Sequence, residues 1–155
     1  MDKAPEATRI LIVDDEPAAI ELIADMLSAD GYRIHTAASG PEALGLARRE
    51  PPNLILLDVM MPDVSGLEAL ERFRQIAPDV PILIVTAYQS AQNAIAALRG
   101  GAFDFIVKGM KSELLLNGVA RAVERRRLAS ENRRLMEELR ARLDAALALP
   151  AASKA

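Results

Sequence analysis

The chain has 155 residues, 51% of them hydrophobic and 26% charged, the length and balance of one globular domain plus an appendage, which excludes a disordered, collagen-like or disulfide-stapled chain. The absence of cysteine excludes disulfides, thiolate metal sites and cysteine nucleophiles. The net charge of −3 divides unevenly: residues 1–110 carry 9 basic and 16 acidic groups, a net −7, whereas residues 111–155 carry 10 basic and 6 acidic groups, a net +4.

Met1 to Arg9 contains Asp2 and Glu6 and no apolar stretch, so it does not read as a signal peptide. No apolar run approaches the ~20 residues of a membrane span. The expectation is a cytoplasmic protein without membrane contact. Ile10–Val13, Leu54–Leu57, Ile82–Val85 and Phe105–Val107 are short apolar runs, as strands of a parallel sheet covered on both faces must be. Arg33–Ala37, with polar His35 and Thr36, reads as an edge strand.

Amphipathic stretches at helical spacing separate the runs: Ile20, Ile23, Ala24 and Leu27; Ala43, Leu44 and Ala47; Leu67, Leu70, Phe73 and Arg74; Ala94, Ile95 and Leu98. Pro17 suits a first helical turn, and Ser39 with Glu42 and Ser65 with Glu68 have the capping-box spacing. Gly31 and Gly100–Gly101 follow helix ends, where positive φ is needed. This alternation predicts an α/β fold, an open doubly wound parallel sheet of five strands with right-handed crossovers.

From Ser112 to about Leu149 there is no proline and one glycine, Gly118, which predicts a single long helix. Leu115, Leu116, Val119 and Val123 form a face that covers the sheet. Leu128, Asn132, Leu135, Leu139 and Leu143 form a coiled-coil seam with one stutter. The expected organisation is a domain over 1–127, a coiled-coil extension over 128–149 ended by Pro150, and a frayed tail over 150–155.

Ligands of open α/β sheets bind beyond the carboxyl ends of the strands. Asp14 and Asp15, Asp58, Thr86 and Lys108 stand at those ends, so three acids, a hydroxyl and an ammonium converge on one rim. Two carboxylates about 4 Å apart repel by ~4 kcal/mol at an effective dielectric of 20, so the cluster requires a cation. All-oxygen donors favour Mg²⁺. A carboxylate beside such a cation can accept a phosphoryl group while Thr86 and Lys108 neutralise its oxygens. Asp58 is the candidate nucleophile; the adjacent Asp14 and Asp15 suit metal coordination. Any one of these acids, taken singly, would read as a helix cap, and the lysine as a solvated side chain. Their convergence is the signal.

The stretches Ile10-Leu-Ile-Val-Asp-Asp-Glu16, Leu57-Asp-Val-Met-Met-Pro-Asp-Val-Ser-Gly66, Val85-Thr-Ala87 and Phe103-Asp-Phe-Ile-Val-Lys108 resemble the receiver domain of two-component response regulators. The resemblance covers about residues 8–127 and is to the nitrogen-regulation type of receiver with an extended fifth helix. It implies the flavodoxin-like strand order 2-1-3-4-5, phosphoryl transfer from a histidine kinase or phosphotransfer protein to Asp58, and Mg²⁺ held by Asp14, Asp15, Asp58 and the Met60 carbonyl. It also implies that Thr86 and Phe105 act as a switch. The family usually has proline in a cis peptide after its lysine; here Gly109 follows Lys108, which predicts a trans peptide and a looser following loop.

Other functions fit less well. An aspartate-nucleophile phosphatase would place its second acid where this chain has Met60, so a stoichiometric phosphoacceptor is the better reading than an enzyme. His35, the one histidine, lies in the edge strand and takes a structural role. Arginines of the tail invite a nucleic-acid reading, but Arg127–Glu131, Arg133–Glu137, Arg134–Glu138 and Arg140–Asp144 are i,i+4 pairs of a solvated helix, and no second helix completes a helix-turn-helix. The tail is instead expected to form a parallel homodimer, with Asn132 fixing register, or to relay the signal through the fifth helix to an effector.

Overall fold

A computed structural model describes residues 8–59, 66–86, 91–109 and 111–148. Five strands and five helices alternate: β1 (Arg9–Val13), α1 (Pro17–Ala29), β2 (Arg33–Ala37), α2 (Gly40–Arg49), β3 (Leu54–Leu57), α3 (Gly66–Ile76), β4 (Ile82–Thr86), α4 (Ala91–Arg99), β5 (Asp104–Val107) and α5 (Ser112–Ala148). The sheet is parallel throughout, in the order β2-β1-β3-β4-β5. This is the doubly wound, flavodoxin-like architecture expected from the alternation and the resemblance.

Period-two side-chain alternation divides the core between the two sheet faces. Leu11, Val13, Ile55, Leu57, Ile82 and Ile84 pack under α2, α3 and α4, with Phe73 at their centre. Ile10, Ile12, Leu54, Leu56, Leu83 and Val85 pack against α1 and α5. The edge strands differ from the central three. β2 exposes Arg33, His35 and Thr36, and of β5 only Ile106 is buried, so the run read as apolar on both faces at Phe105–Val107 is half-covered.

Local signals explain the element ends. Pro17 occupies the first turn of α1. Ser39 caps α2 by accepting from the Glu42 amide at 3.2 Å, and the Glu42 carboxylate accepts from the Ala38 amide at 2.9 Å, one residue before the usual capping-box donor. Ser65, the other predicted cap, lies outside the described residues. Gly101 takes φ +108, and a Cβ there would lie 2.5 Å from Arg74 Nε. Arg74 itself, grouped by spacing with the core residues of α3, is exposed and donates to the Gly101 carbonyl at 3.2 Å.

The 37 residues of α5 extend about 55 Å at 1.5 Å per residue. Leu115, Gly118, Val119 and Ala122 are buried against the sheet. Gly118 belongs to this contact because a Cβ there would come within 2.9 Å of the Ile106 side chain. Beyond Arg127 every described residue is exposed, including Leu128, Leu135, Leu139 and Leu143 at 48–60%. Among the described residues no helix is long and apolar enough to cross a membrane.

Candidate functional site

The parallel ladder assembles the site by continuing one residue past the strands. The Asp14 amide donates to the Ala37 carbonyl at 3.1 Å, the Asp58 amide to Val13 at 3.0 Å and the Lys108 amide to Thr86 at 2.7 Å. Residues distant in sequence therefore leave the sheet at the same height, with their side chains on one rim.

The Lys108 ammonium lies between two buried acids, 2.8 Å from Asp14 Oδ2 and 3.1 Å from Asp58 Oδ2. Asp14 and Asp58 are 2% and 4% exposed, a burial that carboxylates tolerate only when paired. Asp15 is exposed, yet it offers a carboxylate oxygen to a set in which one ligand atom each from Asp14, Asp15 and Asp58 lies within 4.8 Å of the others. Glu16 contributes a third contact to Lys108 at 3.5 Å, and its amide donates to Asp14 Oδ1 at 3.0 Å. Strand-end position alone does not mark Glu16 as a rim residue; its place directly after Asp14-Asp15 does.

The electrostatics are those of a site that demands positive charge. Burial, reinforced by the Asp58 charge, pushes the Asp14 carboxyl above the usual carboxylate range, although the Lys108 hydrogen bond and the Glu16 amide pull the other way. Burial also works against the Lys108 ammonium. The Asp14 hydrogen bond and the Asp58 and Asp14 charges outweigh it and hold Lys108 above the ordinary lysine value. Lys108 is thus a protonated cation standing where a cluster of acids requires one. The all-oxygen donor set and its need for charge fit a hard divalent cation.

Thr86 is 1% exposed, and its hydroxyl has no hydrogen-bond partner among the described residues. It pairs in register with Val107, immediately before Lys108. A buried hydroxyl without a partner costs about 1–3 kcal/mol, so its retention calls for an acceptor at the rim. Phe105 pairs with Ile84 on the α2–α3–α4 side and is half-buried. Met60 lies outside the described residues. The Lys108–Gly109 peptide is trans, and Gly109 has φ +89, a conformation that proline cannot adopt and other L-residues rarely do. Glycine is therefore the residue this loop geometry requires.

The sequence pattern of the response regulator receiver domain matches residues 10–120. The response regulator MprA of Mycobacterium leprae is 42% identical over 118 residues, covering 76% of this chain and 51% of its own length. The probable transcriptional regulatory protein TcrX of Mycobacterium tuberculosis is 39% identical over 104 residues, 67% of this chain and 44% of its own. Among solved structures, NtrX from Brucella abortus superposes with a TM-score of 0.79 at 32% identity, covering 83% of this chain and 29% of that one. The chain spans about half the length, or less, of the curated relatives it matches.

Proposed function

The chain belongs to the response regulator receiver family, and on that premise we propose that it is the phosphoacceptor of a two-component system, with Asp58 as the residue modified. The observation that carries this reading is the Lys108 ammonium set between buried Asp14 and Asp58, with the buried Thr86 hydroxyl, unpartnered among the described residues, on the neighbouring strand. An Asp58 carboxylate oxygen attacks the phosphorus of a phosphohistidine on a kinase or phosphotransfer protein. The O–P bond forms, the N–P bond breaks, and the imidazole leaves with the electron pair. Lys108 holds positive charge against the transferred oxygens, and the Thr86 hydroxyl donates to one of them.

Asp14, Asp15 and Asp58 would hold Mg²⁺ together with the Met60 carbonyl. Bound there, the ion would supply further neutralisation of phosphoryl charge. The reaction is stoichiometric rather than catalytic, in a cytoplasmic protein. Thr86 and Phe105 form the switch, and residues 1–127, 128–149 and 150–155 are the receiver, the coiled-coil extension and the tail. The exposed seam of the extension supports a parallel homodimer. Asn132 pairs with its own copy only in that register, and antiparallel packing would bring Glu124, Glu131 and Glu138 of the two helices together. Intact-mass measurement after incubation with acetyl phosphate and Mg²⁺ tests the central step: the chain gains one phosphoryl group and Asp58→Asn gains none. Undiminished uptake by the variant would refute it.

A further inference from the structure

Of the ion pairs made by described arginines of the extension, Arg133–Asp79 alone leaves the helix, joining Nη1 to Oδ2 at 2.9 Å across 54 residues of sequence. The spacing of the helix offers Arg133 a partner at Glu137, yet the guanidinium turns to the receiver body. Helical geometry explains why. At about 100° per residue, Arg133 lies within about 20° of Ala122 and Arg126, on the stripe that faces the body, and roughly 80–160° from the seam residues Leu128, Asn132, Leu135, Leu139 and Leu143. Ala122 is fully buried and Arg126 half-buried. The contact therefore extends the packed face by two turns and leaves the seam pointing outward.

Asp79 occupies a firm mount. It sits in the turn after α3, where the Ala77 amide donates to Phe73 at 2.8 Å and the Val80 amide donates to Ala77 at 3.1 Å. Ala77 and Val80 are buried in the cluster that contains Phe73 and Val59, the residue after Asp58. At its other end α3 begins beyond the segment that follows Asp58. The helix thus connects the phosphoacceptor end of the body to the turn that grips Arg133. The packing of α5 itself is with α1, β3, β4 and β5.

We propose that Asp79 and Arg133 form a latch that holds the extension at a set angle to α3, so that displacement of α3 reaches the seam without passing through the loop after Lys108. The transmission part rests on the reading of Asp58 as phosphoacceptor. The two side chains are 61% and 48% exposed, so the pair is a switchable contact rather than a stabilising one. Removing either partner changes the ratio of latched to unlatched chains by a factor of about 1.4–5, the range of one exposed ion pair.

The absence of cysteine permits a direct test. Spin labels at Glu71→Cys on α3 and Ala141→Cys on the extension report their separation by double electron–electron resonance, with labelled chain diluted in a large excess of unlabelled chain. The narrow distribution of the parent broadens equally in Asp79→Ala and Arg133→Ala, no further in the double variant, and narrows again in the charge swap Asp79→Arg with Arg133→Asp. Unchanged distributions in the single variants, or effects that add in the double, would overturn the latch. With acetyl phosphate and Mg²⁺ the parent distance shifts and that of Asp79→Ala shifts less; equal shifts, or none in either, would overturn the transmission. Intact mass taken on the same samples separates the two readings. A parent that takes up no phosphoryl group removes the phosphoacceptor assignment, while the distributions without acetyl phosphate still decide the latch.

Discussion

Phe73 in α3 and Leu139 in α5 are both large apolar residues at helical spacing, but the first is fully buried and the second is 60% exposed. The same contrast runs through the two regions they represent. In the receiver body the central strands are covered by helices on both faces, and the buried Asp14, Asp58 and Thr86 gather at one rim. In the extension the apolar residues are exposed among the described residues, and the ion pairs other than Arg133–Asp79 run along the helix surface, as in Arg127–Glu131 and Arg134–Glu138. A body of the first kind folds on its own contacts and carries chemistry. A helix of the second kind presents an unburied apolar seam, which only a partner would cover.

The largest effects are expected in the body. Phe73→Ala removes a fully buried ring from the α2–α3–α4 side and lowers unfolding free energy by about 3–5 kcal/mol, measured by urea denaturation. Lys108→Ala leaves Asp14 and Asp58 buried together without their cation, at a cost of about 3–5 kcal/mol. Added Mg²⁺ recovers part of that loss by binding only the folded state. A Lys108→Ala chain as stable as the parent and insensitive to Mg²⁺ would show that the rim does not demand positive charge.

Gly109→Pro should fall in the middle. Proline fixes φ near −65°, whereas Gly109 has φ +89, so the substitution costs about 1–3 kcal/mol or forces the loop into another path. Thermal melting reads the first outcome, and slower phosphoryl uptake through a displaced Lys108 reads the second. The smallest effect on folding belongs to the extension: Leu139→Ala changes the stability of dilute chain by less than about 0.5 kcal/mol. The same substitution weakens self-association in sedimentation at tens of micromolar. A large loss of stability without any change in mass would place Leu139 in an intramolecular contact and erase the contrast.

The body was legible because its signals are local. Strands covered on both faces must be continuous apolar runs, so Ile10–Val13 and Leu54–Leu57 were visible as strands, and the acids after them marked the rim. Strand order came from the family resemblance, since nothing in the pattern of Arg33–Ala37 says that it pairs with β1. What the sequence concealed depends on proximity in space. Gly118 and Ala122 belong to the buried face of α5, but small residues carry little apolar signal. The positive φ of Gly109 is a property of the loop it closes. Arg133 had a plausible partner four residues away, and the pull of Asp79 across 54 residues leaves no trace in spacing.

The assignment of Asp58 as the residue that receives the phosphoryl group is tested most directly by trapping the product. An aspartyl phosphate is an acyl phosphate, and borohydride reduces it to homoserine, which marks its position in the peptide chain. After incubation with acetyl phosphate and Mg²⁺, reduction and peptide mass spectrometry should place homoserine at position 58. Homoserine at position 14 or 15, or at none of the three, would contradict the assignment.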